Sequence, residues 1–208
     1  MAHFVQKVIC LGLAAAASLA AAPFSHRVHL KLKLECVSCH AAATGSTRVE
    51  DNLLPERTVC LGCHKEAEIG APRTTLVSKF SHQQHLKMGN IAQLLASAIL
   101  KKTYLSPADG ISARLNTKNA CEACHRGLEE SDARAKAAYP QMADCLVCHT
   151  KIEPPFSCRT CHAETAQLRP ASHTPDLIDT HSSGKLQFDK QSCAVCHGRK
   201  FLCLGCHQ

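Results

Sequence analysis

No tryptophan occurs in the chain, and other aromatic side chains are few: two tyrosines and six phenylalanines in 208 residues. Long apolar runs are also missing after residue 22. A chain so poor in large side chains buries little apolar area of its own, and that area is what offsets chain entropy. Length alone would allow one or two ordinary domains; the composition excludes a core built from side chains only. Blocks of like charge are missing too. Lysine and arginine are scattered, so the formal net charge of +7 reads as a solvated surface and not as a nucleic-acid-binding patch.

Cysteine and histidine, in contrast, are abundant and ordered. Fourteen of the fifteen cysteines fall in seven copies of C-x-x-C-H. The cysteine pairs are Cys36/Cys39, Cys60/Cys63, Cys121/Cys124, Cys145/Cys148, Cys158/Cys161, Cys193/Cys196 and Cys203/Cys206. They are followed at once by His40, His64, His125, His149, His162, His197 and His207. C-x-x-C-H is the attachment site of a c-type haem: two thioether bonds fix the porphyrin, and the adjacent histidine is placed to ligate the iron. A zinc half-site or a redox pair would explain a lone C-x-x-C, but neither requires a histidine after every copy. Disulfides would not explain the histidines either.

Seven covalently attached haem c groups would supply the apolar bulk that the side chains lack. The predicted fold is therefore mostly irregular with short α-helices, a compact haem-dominated core and little or no β-sheet. The two propionates on each haem would outweigh the formal +7, which removes the basic pI as an argument for nucleic acid.

Residues 1–22 read as a secretory signal peptide, with Lys7, the apolar run Val8 to Ala17, and the small residues Ser18-Leu19-Ala20. The run is short for a membrane span of about 20 residues. Cys10, the one cysteine outside the motifs, and His3 lie in this leader. Export predicts a periplasmic or extracellular protein of bacterial type, which suits covalent haem attachment.

After the leader, F-S-H-R-V-H-L-K at Phe24–Lys31 returns as F-S-H-Q-Q-H-L-K at Phe80–Lys87, a repeat with a period of 56 residues. Each copy carries histidines at i and i+3, which share a helix face. One short helix can thus offer imidazoles to two neighbouring irons. This phrase upstream of C-x-x-C-H resembles the low-potential, bis-histidine class III cytochromes c and their larger multihaem relatives, over residues 23–208. The resemblance implies that His26 caps the haem on His40 and His82 the haem on His125, while His29 and His85 reach other haems. It also marks Arg169 to His181 as a ligand-bearing phrase, with His173 and His181 as distal ligands in the last haem group. The chain departs from the small members of that family in its size and in an insertion between His85 and Cys121.

In the insertion, Ile91, Leu94, Leu95, Ala98 and Ile99 form an apolar face at helical spacing, with Asn90 as a cap. A helix covering haem faces is favoured over a docking helix. Leu105 to Thr117 reads as a loop, and a charged helix is expected from about Ser131 to Tyr139. By ligand phrase the chain divides into a module of two motifs at 23–75, one of three at 80–165 and one of two at 169–208, all sharing one haem chain.

The histidine arithmetic bounds the chemistry. Of fourteen histidines, seven are in motifs and His3 is in the leader, leaving six distal candidates for seven irons. The odd iron must take Met88, Met142, a lysine, water, an open position or a histidine of another protein. Iron held by two histidines is coordinatively full, so it exchanges electrons without binding substrate. The leading function is electron transfer along seven haems between redox partner proteins, including membrane or outer-membrane components. The alternatives are a reductase of nitrogen or sulfur oxyanions, and a subunit of a cytochrome filament or membrane complex.

Overall fold

The structure, a computed structural model, describes residues 24–72, 75–116, 118–130, 139–149, 158–185 and 190–198. The leader, the expected helix over 131–138 and the seventh motif lie outside them.

Among the described residues there is no sheet; the only β pairing is an isolated antiparallel bridge between Val77 and His162. The helices are short: α1 (His26–Lys31), α2 (Cys36–Cys39), α3 (Arg57–Leu61), α4 (His82–Lys87), α5 (Ala92–Leu100), α6 (Ile111–Arg114), α7 (Met142–Leu146), α8 (Leu177–Ser182) and α9 (Lys190–His197). None is long and apolar enough to cross a membrane. The mostly irregular, short-helix fold expected from the composition is what is found.

The two copies of the F-S-H phrase fold alike. Ser25 caps α1 by accepting a hydrogen bond from the Val28 amide, and Ser81 caps α4 by accepting one from the Gln84 amide. Such a cap satisfies one of the amides that a helix start leaves unpaired. The sixth motif ends α9, and each of the first five is a single tight turn. The carbonyl of its first cysteine accepts the amide of its histidine at 2.8 Å in the first motif, 2.9 Å in the second and third, and 3.0 Å in the fourth and fifth. That turn sets both thiols on one side, beside the histidine.

The side-chain core is small. Leu95 is the one large side chain less than 2% exposed among the described residues, and most of the other buried apolar residues are alanines. In α5, Ala92, Leu95 and Ala98 face inward, while Leu94 is 53% exposed. The inward stripe is thus rotated from the expected one, with a small residue in place of Leu94. The cap position of α5 is Ile91 and not the expected Asn90, which lies one residue earlier and accepts the Ala92 amide at 2.9 Å. The stretch expected to be a loop after α5 holds one helical turn, α6, entered through Gly110 at φ 73°.

Candidate metal centres

Five of the motif histidines each face a histidine from a ligand phrase. His26 lies over His40 with ring centres 6.2 Å apart, and His29 over His64 at 5.9 Å. His82 faces His125 at 6.4 Å, His85 faces His149 at 6.3 Å, and His173 faces His197 at 6.1 Å. Imidazole–metal bonds of about 2.0–2.1 Å on both sides of one ion, plus the ring radius, place two ring centres roughly 6–6.5 Å apart. The five spacings fit one metal ion between each pair of rings.

The described residues contain no group of three or more His, Cys, Asp or Glu that could hold a metal. A structural zinc site requires four protein ligands. Paired axial imidazoles instead suit a metal whose remaining positions are filled by a macrocycle. The twelve described cysteines, all in motifs, form no disulfide. Apolar side chains around the motifs are left uncovered by protein: Val37 is 47% exposed, Val59 42% and Leu61 40%. Porphyrin faces are the kind of surface that would cover them.

The described attachment cysteines differ in exposure. Cys63, Cys145 and Cys148 are exposed, whereas the other nine described cysteines are half-buried. The exposure has a physical reason. The motifs at Cys60–His64 and Cys145–His149 are single turns, and the chain has few large side chains to lay over a turn. Protein alone therefore leaves these thiols at its surface. Exposure does not remove them from the attachment set, because a thioether joins the thiol to a group that reaches it from outside the chain.

Hydrogen bonds orient the rings. Nδ1 of His29 donates to the Ser25 carbonyl at 2.8 Å, and Nδ1 of His85 to the Ser81 carbonyl at 2.7 Å. Among the motif histidines, Nδ1 of His40 donates to the Leu53 carbonyl at 2.7 Å and Nδ1 of His162 to the Leu76 carbonyl at 2.9 Å. A carbonyl can only accept, so the proton is on Nδ1 and Nε2 keeps its lone pair for a metal. Burial, reinforced by His125 and His85, lowers the pKa of His82, which favours the neutral ring that ligation needs.

Phe24 and Phe80 do the same work in each copy of the phrase. Phe24 turns its edge to His26 and lies flat on His29 at 4.6 Å; Phe80 turns its edge to His82 and lies flat on His85 at 4.4 Å. The serine and phenylalanine of the phrase thus hold its second histidine, a role the repeat itself signals.

Neighbouring motifs are tied together. Arg126, just after His125, pairs with Asp144, just before Cys145, at 2.7 Å, with side chains 6% and 2% exposed. Asp144 also accepts from the Tyr104 hydroxyl at 2.9 Å and the Gln141 amide at 2.7 Å. Burial and the Asp144 carboxylate push the Tyr104 phenol pKa up. This buried network joins the third motif to the fourth, and spacing alone gave no sign of it.

The sulfur atoms extend the order. Asn119 donates to the Cys36 sulfur at 3.3 Å, bringing the first motif beside the third. Burial raises the Cys121 pKa, with Cys36 adding to it. Cys124 is pushed up to about 11 by burial and Asp144, with Cys145 a smaller contributor. Cys145, although exposed, is raised by desolvation among close neighbours, by Asp144 and then by Cys161. Cys196 is raised by burial and then Cys158. Asn119 thus ties the third motif to the first, Arg126 and Asp144 tie the third to the fourth, and α1 joins the second to the first.

Residues 22–75 match the family model of cytochrome c7 and related cytochrome c. That span contains the first ligand phrase, the first two motifs and the histidine pairs His26/His40 and His29/His64. The match supports a multihaem c-type cytochrome of electron transfer, with covalently bound haem. No curated protein and no solved structure matches the chain. Where the sites are concerned, His181 has contacts outside those described above, and Cys203, Cys206 and His207 lie outside the described residues.

Proposed function

We propose that this chain is an exported cytochrome that carries electrons along seven covalently bound haems between redox partner proteins in the periplasm or outside the cell. One observation carries the reading: five motif histidines each face a ligand-phrase histidine at the spacing of a shared metal ion. Bound haem supplies a one-electron iron couple. The chain's own task is to hold two neutral imidazoles in place, so that a change of oxidation state moves few atoms. The carbonyls of Ser25, Ser81 and Leu53, and the faces of Phe24 and Phe80, hold the rings in this way.

The three modules, 23–75, 80–165 and 169–208, share one haem chain in this reading. The ties from Asn119 to Cys36 and from Arg126 to Asp144 support contact within and between them. The test is the full-length protein made with haem-attachment machinery. Its intact mass should exceed that of the processed apoprotein by seven haems, and a reductive titration should take up about one electron per haem. Zinc in place of covalent haem would overturn the reading.

A further inference from the structure

We propose that the fifth motif, Cys158 to His162, carries the one iron with no histidine opposite its motif histidine, and that this iron binds small diatomic ligands. The inference rests on the electron-carrier reading and adds a site to it.

Three observations converge on His162. The ligand phrases are used in a fixed order. In the first phrase, His26 serves the first motif that follows and His29 the second; in the next, His82 serves the first that follows and His85 the second. In the last phrase, His173 again serves the first motif that follows. Two histidines per phrase, used in this order, provide for two motifs per phrase. The middle segment has three, and the surplus one is the fifth. By the same order His181 goes to the last motif.

The second observation is local. His162 is held from behind by the segment ahead of α4: its Nδ1 donates to the Leu76 carbonyl at 2.9 Å, its backbone bridges to Val77, and the Cys161 carbonyl accepts from the Ser78 amide at 2.7 Å. Nε2 of the ring is thus left for a metal, as in His40. Among the described residues, however, no second imidazole faces it, although all six distal candidates are described. The third observation is position. Leu76 and Ser78, which hold His162 and Cys161, lead into α4, whose His82 and His85 face the third and fourth motif histidines, so this motif lies beside that pair. An iron with a free face here adjoins the haems of the third and fourth motifs, so a ligand bound to it would alter electron flow there.

Carbon monoxide, a neutral diatomic that binds ferrous iron with a free axial position, is the probe. With the fully loaded, reduced protein, one haem in seven should bind it, and the oxidised protein should show one high-spin ferric iron by EPR. A C203S/C206S variant, lacking the last attachment site, should keep the carbon monoxide site; C158S/C161S should lose it. Should C158S/C161S fail to fold, retention of binding in C203S/C206S still supports the assignment. Loss of binding in C203S/C206S would overturn it. So would a fully loaded protein that binds no carbon monoxide, which would mean that Met88, Met142 or another side chain closes the face. That last result leaves the electron-carrier reading standing, whereas a mass without covalent haem removes both.

Discussion

A backbone carbonyl has no proton to give, so each contact it makes to an imidazole Nδ1 decides which ring nitrogen is left for a metal. His29, His40, His85 and His162 are all fixed in this way, by residues with no chemistry of their own. His82 is kept neutral by burial instead. Replacing His82 with Ala should convert one low-spin haem to high-spin, raise its potential and increase the number of carbon-monoxide-binding haems by one. An unchanged EPR spectrum would show that His82 is not a ligand. Asp144 makes a different kind of single-residue claim. Asp144→Asn leaves Arg126 buried without its counter-charge, which typically costs about 3–5 kcal/mol. Tyr104→Phe removes one hydrogen bond to the same carboxylate and should cost about 1–2 kcal/mol. Denaturant unfolding of the haem-loaded protein checks both, and equal losses would mean that the ion pair does not hold the third and fourth motifs together.

At the scale of elements, α1 and α4 are one device used twice, with the same serine cap, the same phenylalanine and the same histidine spacing. They differ where they end. The chain leaves α4 through Gly89 at φ 78°, but it leaves α1 through Lys33 at φ 59°, the equivalent position. A side chain in the left-handed region costs roughly 1–2 kcal/mol, which glycine avoids. Gly89→Ala should therefore destabilise by about 1 kcal/mol. Lys33→Gly should stabilise slightly or be neutral, because the relief of strain is offset by the greater freedom of glycine in the unfolded chain. Thermal melts of the two loaded variants should move in opposite directions or differ clearly; a common downward shift would show that Lys33 is held by contacts worth more than the strain.

For the molecule as a whole, the decisive fact is how little the protein buries of itself. A core whose buried members are largely alanines cannot offset roughly 1–2 kcal/mol of backbone entropy per residue, when a fully buried leucine returns only about 1.5–3 kcal/mol. The chain made without haem-attachment machinery should be disordered by circular dichroism and readily digested. A cooperative melt of that haem-free chain would contradict a haem-dominated core. The exposed apolar residues around the motifs, such as Val37 and Leu61, and the exposed thiols of Cys63 and Cys148 have the same origin: their turns are complete only against a large flat ligand.

Covalent and local features were determined by the sequence alone. Motif turns, serine caps and histidine spacing each depend on residues within a few positions of one another, so their pattern is visible in the linear chain. Seven motifs and six other histidines after residue 22 are likewise counted from the linear chain. Which partners meet is another matter. His29 with His64, His85 with His149 and Arg126 with Asp144 are joined across long or irregular segments. Leu94 and Ala92 differ in burial because neighbouring elements, and not helical period, choose the inward stripe of α5. Spacing marked Cys63 and Cys148 as attachment cysteines just as it marked Cys124, yet it carried no sign that the first two lie exposed and the third half-buried. Counting set seven motif histidines against six others; in the folded chain five of those six face motif histidines, and none faces His162 among the described residues. Local spacing is written in the chain itself, whereas proximity between distant residues arises only when the whole chain closes around its contents.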